Sequence, residues 1–277
     1  MGQFKRAFVL IIATVVSLVV VATPSFADES SRVLVENSWR FQDGQSITLE
    51  EDSEDVGISA YSLSRLPDGV TAQGIDVSEH QGDINWDAVK ASGVDFAILR
   101  VGFGAPSFGG RTDYQFQRNI SECERLGIPY GIYLYSYAWD DGQAADEAAF
   151  VISNIAGHSP QLPIYYDLED NSIIADGRQG GIASRASVFC NRIINAGYKV
   201  GIYANLNWFN NILTDPVFNS PSWDHWIAQY NYQCDYAGKY GFWQYASDGS
   251  VDGISGSVDM NYAYITIESN EKKWDRA

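Results

Sequence analysis

Three carboxylates stand close together in the segment YYDLED, residues 165–170: Asp167, Glu169 and Asp170. The apolar run QLPIYY leads into them, so they mark the end of a predicted buried strand. Because side chains alternate along a strand, Tyr165, Asp167 and Glu169 share one face, and Asp170 is left to a solvated loop. Crowded carboxylates raise one another's pKa, so one of them can stay protonated as a general acid at neutral pH. Asp167 and Glu169 are therefore candidate catalytic residues.

Two further acids lie at predicted strand ends that are distant in sequence. Asp76 ends the first strand, in GIDVSEH, and Asp259 lies in the last strand, in SVDMN. In a (β/α)-barrel the C-terminal ends of the strands meet at one face, where catalytic groups sit. We therefore predict one site built from Asp76, Asp167, Glu169 and Asp259. Two alternatives stay open, namely acids that are merely solvated and a carboxylate site for calcium or magnesium. The catalytic interpretation is favoured, and we expect no metal and no cofactor.

Aromatic residues are frequent at the predicted strand ends of this chain, which has 17 tyrosines, 13 phenylalanines and 8 tryptophans. Some of these rings belong to the core, and those at the barrel mouth would stack on sugar rings. The histidine of SEHQG, near the end of the first strand, would line the same pocket. The residues predicted to contact a ligand are His80, Tyr133, Tyr135, Tyr165, Trp226, Gln244 and Tyr245. A carboxylate pair with aromatic walls is typical of glycosidases.

Other kinds of chemistry are excluded by motifs that the sequence lacks. It has no Gly-x-Ser-x-Gly elbow, no phosphate-binding glycine loop and no zinc-protease helix motif. The formal net charge is −17, so we expect no binding to nucleic acid, which requires clustered Lys and Arg. Among the three cysteines, Cys123 and Cys190 fall in predicted helices, where we expect buried apolar residues, and one disulfide stays open as a less favoured alternative.

The elements that must position the acids alternate between strands and helices. Apolar strands such as VDFAILRVGFG and IPYGIYLYSYAW recur with helices between them at about 30–35 residues per unit, the pattern of parallel βα units. The last third reads HWIAQY, GFWQYAS and SVDMNYAYIT, three strands with little helix between them. We therefore predict an α/β fold, a modified TIM-like barrel. A doubly wound open sheet is the runner-up, and it lacks the expected glycine-rich loop after the first strand.

Four segments are predicted along the chain. Residues 1–27 have the pattern of a secretory signal, with an uncleaved membrane anchor as the alternative because the apolar run is slightly long. Residues 28–70, with ten Asp or Glu against three Arg, are predicted to form an acidic propeptide or linker, partly disordered. Residues 71–268 are predicted to form the catalytic barrel, and residues 269–277 a C-terminal tail. We expect a secreted, extracellular chain that contacts no membrane once the signal is removed, with association with the cell wall or the membrane as the alternative.

The segments GIDVSEHQGDINWDAVKASGVDFAILRVGFG, GIYLYSYA, YYDLED and VDMN together resemble glycoside hydrolase family 25, the Chalaropsis-type lysozymes. The resemblance runs from about residue 73 to residue 267. It implies a (β/α)5β3 barrel that hydrolyses the β-1,4 bond from N-acetylmuramic acid to N-acetylglucosamine in peptidoglycan. It also implies that Glu169 is the general acid, that Asp167 lies beside it, and that Asp76 and Asp259 orient the pair.

The resemblance leaves the mechanism and the substrate range open. Retention would proceed through a carboxylate nucleophile, or through the 2-acetamido oxygen of the substrate with Asp167 steadying the charged ring. The Asp-x-Glu layout resembles that of substrate-assisted chitinases, which favours the second route. A glycosidase acting on another N-acetylated glycan such as chitin, and a non-catalytic sugar-binding barrel, are the alternatives. The expected partner is the glycan strand of peptidoglycan, bound by a monomer.

Overall fold

The computed structural model describes residues 67–231 and 233–267, together with two short paired strands, β1 (Phe41–Gln42) and β2 (Gln45–Ser46). The predicted signal of residues 1–27, most of the predicted linker of residues 28–70 and the predicted tail of residues 269–277 lie outside the described residues. These segment boundaries therefore stay predictions.

A closed ring of strands forms the centre of the fold, as the sequence predicts. The strands after the first two are β3 (Ala72–Val77), β4 (Phe96–Phe103), β5 (Arg111–Thr112), β6 (Tyr130–Tyr135), β7 (Ile164–Asp167), β8 (Val200–Asn205), β9 (Trp223–Ala228), β10 (Phe242–Gly249) and β11 (Val258–Ala263). The ring order is β3, β11, β10, β9, β8, β7, β6 and β4, and pairing between β3 and β4 closes it. The short β5 pairs with the end of β4, outside this ring.

Five helices follow the first five strands of the ring: α1 (Trp86–Ala91), α2 (Phe116–Leu126), α3 (Asp141–Asn154), α4 (Ile182–Asn195) and α5 (Leu206–Asn211). Polar caps set three of the starts, because the side chains of Asn85, Asp140 and Asn205 accept hydrogen bonds from backbone N–H groups of α1, α3 and α5. The sequence did not indicate α5, whose six residues are too few to display a helical period. In the described part of the chain no α-helix follows β9 or β10, which confirms the expected (β/α)5β3 barrel.

The last strand reverses direction. β11 runs antiparallel to both of its neighbours, β10 and β3, whereas the other neighbours in the ring are parallel. The start of β11 therefore lies at the barrel end where the other seven strands finish. Asp259, the second residue of β11, pairs directly with Asp76 near the end of β3. The expectation that Asp259 lies at the C-terminal end of its strand is wrong. It nevertheless lies beside Asp76, at the barrel end where the sequence predicts it.

Two apolar layers hold the barrel together. The interior layer is formed by alternate residues of the strands, among them Phe96, Ile98, Tyr165, Trp226 and Phe242. The outer layer lies between the strands and the helices and includes Cys123 and Cys190, which are buried, as expected, and carry free thiols. Within the described ranges, no helix has the length and apolar character needed to cross a membrane.

Candidate active site

The four predicted carboxylates come from opposite sides of the ring to one end of the barrel. Asp76 and Asp259 are paired on β3 and β11, while Asp167 is the last residue of β7, four strands away from β11. Glu169 follows two residues after Asp167. Burial, then the charges of Asp76 and Glu169, raise the pKa of Asp259 well above its ordinary value. The charge of Glu169 is therefore near enough to the Asp76–Asp259 pair to act on it.

Asp76 and Asp259 form a hydrogen-bonded acid pair. Burial is the main cause that raises the pKa of both groups, and Asp76 is only 4% exposed. Asp76 Oδ2 accepts two more hydrogen bonds, from Asn261 Nδ2 at 2.7 Å and from Gln244 Nε2 at 2.9 Å. Hydrogen bonds donated to a carboxylate favour its ionised form. The geometry therefore assigns the negative charge to Asp76 and the shared proton to Asp259.

The other partner of Asn261 fixes the direction of its hydrogen bond to Asp76, and the partners of Gln244 are consistent with the same direction. Trp226 Nε1, which can only donate, bonds to Asn261 Oδ1 at 2.8 Å, so the NH2 group of Asn261 faces Asp76. The oxygen of Gln244 accepts from the Tyr203 hydroxyl at 2.9 Å, and its NH2 group also faces Asp76. Both amides thus act as donors to an ionised Asp76, the arrangement that gives the stronger, charge-assisted bond.

β7 ends at Asp167, earlier than the predicted strand, which ran to Asp170. Asp167 is 2% exposed, and its backbone carbonyl accepts from the N–H of Ser136 at 3.0 Å. Glu169 lies beyond the strand, so alternation alone does not place it beside Asp167. Burial, then the charge of Glu169, raises the pKa of Tyr135 and of Tyr203. These tyrosines point inward from β6 and β8, on either side of β7, so the charge of the partly exposed Glu169 lies near the interior of this barrel end.

Asp170 is buried, so the expectation of a solvated loop residue is wrong. It is 8% exposed, and its side chain caps the 3-10 turn Asn171–Ile173 by accepting from the N–H of Ser172 at 2.8 Å. The Tyr135 hydroxyl donates to its other oxygen at 3.1 Å. The chain turns sharply after β7, and an aspartate at the start of the turn satisfies a backbone N–H that would otherwise lack an acceptor. Asp170 therefore anchors the segment that carries Glu169.

Tyr165 and Trp226 lie inside the barrel, below the carboxylates. They are 0% and 1% exposed, their ring centroids are 5.2 Å apart, and the Tyr165 hydroxyl donates to Asp224 at 2.7 Å. Rings that are this buried offer no surface on which a sugar can stack, so these two residues form the floor of the site. Tyr133 and Tyr135 are only partly buried on the inward face of β6, the placement expected of residues that contact a ligand.

The other three residues predicted to contact a ligand take different positions. Tyr245 lies on the outer face of β10, stacked on a β11 tyrosine with 4.1 Å between ring centroids, because inward and outward residues alternate and Gln244 points inward. Gln244 is 3% exposed and supports the acid pair. His80 is exposed in the turn after β3, with its Nε2 3.5 Å from Arg100 Nη1. His80 therefore borders the barrel end, and Tyr245 faces away from it.

A buried glutamate that the sequence did not single out supports the strand ends from outside the ring. Glu147, on α3, is 0% exposed and accepts from the hydroxyls of Tyr166 at 2.5 Å and Ser136 at 2.9 Å. It also accepts from the backbone N–H of Tyr137 at 2.8 Å. Burial raises the pKa of Glu147 to about 7, and the three donors oppose that shift. Because Tyr166 directly precedes Asp167, Glu147 fixes the ends of both β6 and β7.

A charged cluster next to the end of β4 was also missed. Arg100 points inward, is 2% exposed and donates from Nε to Asp113 at 2.8 Å. Glu79 accepts from Arg111 at 2.8 Å and lies 3.5 Å from Arg100. The hydrogen bond from Arg111 lowers the pKa of Glu79 to about 2, so Glu79 is ionised at neutral pH. The cluster therefore supplies fixed charges at the rim and not a proton donor.

The site thus combines several carboxylates, one shared proton and partly exposed tyrosines at the mouth of a closed barrel. Such a combination can hold a sugar and transfer a proton to the bond between two sugars. In the residues that the structure describes, no group of three His, Cys, Asp or Glu side chains has the geometry of a metal site.

Comparison with known proteins places these residues in a family. The model of glycosyl hydrolases family 25 matches residues 75–254, which include Asp76, Asp167 and Glu169. The autolytic lysozyme of Clostridium acetobutylicum is 28% identical over 191 residues, covering 68% of this chain and 55% of that protein. Lysozyme M1 of Streptomyces globisporus is 30% identical over 202 residues, covering 68% of this chain and 66% of that protein.

A solved structure agrees with the fold. The modular autolysin LytC from Streptococcus pneumoniae, in complex with a synthetic peptidoglycan ligand, superposes with a TM-score of 0.62 at 30% identity. The match covers 69% of this chain and 46% of LytC. This chain thus spans about half the length of LytC and of the Clostridium protein. Because the family model matches well over half of the sequence, the chain belongs to glycosyl hydrolases family 25.

Proposed function

We propose that this chain is a lysozyme, a peptidoglycan hydrolase that cleaves the β-1,4 bond between N-acetylmuramic acid and N-acetylglucosamine. Membership of the family supports the proposal, as do relatives named as lysozymes and an autolysin solved with a peptidoglycan ligand. The observation that carries it is the meeting of Asp167, Glu169 and the Asp76–Asp259 pair at one barrel end, above the floor of buried rings.

In this proposal Glu169 is the general acid. It gives its proton to the oxygen of the glycosidic bond, and the bond from that oxygen to C1 of the muramic acid breaks. The 2-acetamido oxygen of the same sugar attacks C1 from the opposite face and forms a cyclic oxazolinium ion. Asp167, buried beside the reaction centre, stabilises the positive charge of that ion. Glu169 then takes a proton from water as the water opens the ring, so the configuration at C1 is retained.

The Asp76–Asp259 pair sets the charge across from the general acid. With its shared proton on Asp259, the pair carries one negative charge instead of two, held in place by the amides of Gln244 and Asn261. A nearby negative charge favours the protonated form of a carboxyl group, which is the form that Glu169 needs at the start of the reaction. The pair therefore favours the protonated form of Glu169 and does not itself contact the bond that breaks.

The place of action follows from the same proposal. A peptidoglycan hydrolase with a predicted secretory signal acts outside the membrane, on the glycan strands of the cell wall. The mechanism uses side chains of the protein and the acetamido group of the substrate, and it needs no metal or cofactor. We propose that the chain acts as a monomer, because the carboxylates that form the site all come from one barrel.

Substitution of the acids tests the proposed mechanism. Glu169→Gln removes the proton donor, so we expect the rate of peptidoglycan solubilisation to fall about 10³-fold, and Asp167→Asn to lower it by about 10²-fold or more. Glu122→Gln, on the surface of α2, is the matched control and keeps the wild-type rate. Thermal denaturation verifies that all three variants are folded. A Glu169→Gln protein with near-normal activity would contradict the assignment.

A further inference from the structure

Two side chains on neighbouring loops form a flat, charged platform beside the candidate active site. Trp139, in the loop from β6 to α3, is 36% exposed, one of few large apolar side chains exposed among the described residues. Arg178, in the loop from β7 to α4, stacks its guanidinium on that ring, with Cζ 4.5 Å from the ring centroid. A guanidinium stacked on its face keeps its edge for planar, bidentate contact with a carboxylate.

A buried arginine ties the two loops together. Arg185, on α4, is 3% exposed and donates to the backbone carbonyls of Trp139 at 3.2 Å, Arg178 at 3.1 Å and Ile173 at 2.8 Å. The N–H of Trp139 in turn donates to Gln143 at 2.7 Å. The platform is therefore held by contacts below it, and little order has to be gained when a ligand binds.

The platform lies close to the carboxylates. The N–H of Ser136 bonds to the backbone carbonyl of Asp167 at 3.0 Å. Trp139 follows Ser136 by three residues, so the Cα atoms of these two residues are at most about 11 Å apart. On the other loop, Ile173 ends the 3-10 turn that begins directly after Asp170. Both loops thus start next to the end of β7, so an extended substituent of several residues on a sugar bound at the carboxylates would span the distance to Trp139 and Arg178.

The contacts that Arg178 now makes are weak enough to be replaced. Its nearest carboxylate is that of Asp176, at 3.5 Å on a side chain that is 81% exposed, and it donates to the carbonyl of Ser172 at 3.3 Å. Exposed ion pairs of this kind contribute little stability. The chain as a whole has a net charge of −17, so an anionic group binds only where a local cation meets it.

We infer that Trp139 and Arg178 form a subsite for the peptide stem of peptidoglycan, with Arg178 binding a stem carboxylate and Trp139 packing against the stem's apolar part. This inference rests on the proposed function, because the stem is attached to the muramic acid whose bond Glu169 would cleave. The stem carries carboxylates and methyl groups, which match a guanidinium stacked on an indole. The subsite would select glycan that still carries its peptides.

The test compares purified peptidoglycan with the same material stripped of its stems by an amidase. We expect the wild-type protein to have the lower KM on stem-carrying glycan, and Arg178→Gln to reduce that preference by about 5-fold, the scale of one exposed charge pair. Trp139→Leu should reduce it as well, since the indole supports the guanidinium. Arg192→Gln removes the same charge from the exposed far end of α4 and should keep the wild-type preference.

A binding measurement separates this inference from the proposed function. Binding of a soluble disaccharide-peptide is measured by calorimetry for the wild type and for Arg178→Gln, each verified as folded by thermal denaturation. If the wild type cleaves neither glycan yet binds this ligand in an Arg178-dependent way, the subsite stands and the proposed function fails. If Arg178→Gln keeps the wild-type preference and affinity, or if the wild type neither cleaves nor binds, the subsite is overturned.

Discussion

Replacing Glu147 with glutamine should make the protein more stable than the wild type at pH 8 and about as stable as the wild type at pH 4. Glutamine can keep the contacts, because its oxygen can accept from the N–H of Tyr137 while its NH2 group faces the hydroxyls of Tyr166 and Ser136. Hydroxyl oxygens accept as well as donate, so neither hydroxyl loses its partner. The substitution therefore removes the titrating group at position 147 and keeps the size and the contacts of the side chain.

The magnitude follows from the shift in pKa. Burial raises the pKa of Glu147 from 4.5 to about 7 in the folded protein. The protonated form thus favours folding: its contribution is complete below the unfolded pKa and is lost as the pH rises through the folded pKa. Since one pKa unit corresponds to about 1.4 kcal/mol, the wild type loses about 3 kcal/mol of this contribution between pH 4 and pH 8. Glu147→Gln loses none of it.

Urea denaturation of both proteins at pH 4, 6 and 8 measures the effect as a difference, in which the titrations common to both proteins cancel. The control is Glu122→Gln. A hydrogen bond from Arg125 lowers the pKa of Glu122, so this variant should lose stability relative to the wild type as the pH rises, the opposite of Glu147→Gln. A stability difference between Glu147→Gln and the wild type that does not change with pH would refute the argument.

Two further predictions concern the acids around the site. Asp259→Asn should gain stability relative to the wild type as the pH rises, because the pKa of Asp259 is raised well above its ordinary value and the wild type loses stability when this group ionises. The melting temperatures of both proteins at pH 5 and pH 8 measure this gain. If the difference in melting temperature between the two proteins is the same at both pH values, the proton is not on Asp259. Asp170→Ala should lower the melting temperature by about 3 °C, the loss of one cap, and also slow peptidoglycan cleavage because the segment of Glu169 loosens. Asp215→Ala, which removes the similar cap of the 3-10 turn Pro216–Asn219, should lower stability alike but leave the rate intact, and equal rates for both variants would contradict the role of Asp170.

The barrel and the identity of its acids were accessible from sequence because both depend on short, regular patterns. Apolar strands that recur between capped helices predict βα units. Asp76 and Asp167 stand at the C-terminal ends of two of these strands, where the catalytic residues of a barrel lie. Asp259 is predicted to join them as an acid at the C-terminal end of a strand, yet β11 is antiparallel to its neighbours. The alternation of inward and outward side chains is the same in both directions, so the sequence of a strand does not show which way it runs.

The residues that were misplaced depend on contacts between distant segments. Tyr165 and Trp226 have the types that stack on sugars, but they are held deep in the barrel by partners on other strands, Asp224 and Asn261. Glu147 lies in α3, and only the packing of this helix against the strand ends reveals that it is fully buried. Charged residues are rarely buried without partners, and the partners of Glu147 lie on other elements, so the sequence around it carries no signal of its burial.

The most direct test of the central claim is the chemistry of the ends that this protein creates in purified peptidoglycan. The digest is reduced with borohydride, hydrolysed and analysed by mass spectrometry, with Glu169→Gln as the inactive control. A lysozyme exposes the reducing end of N-acetylmuramic acid, so we expect reduced muramic acid to accumulate with wild-type protein alone. Accumulation of reduced glucosamine, or of no reduced sugar at all, would contradict the proposed cleavage.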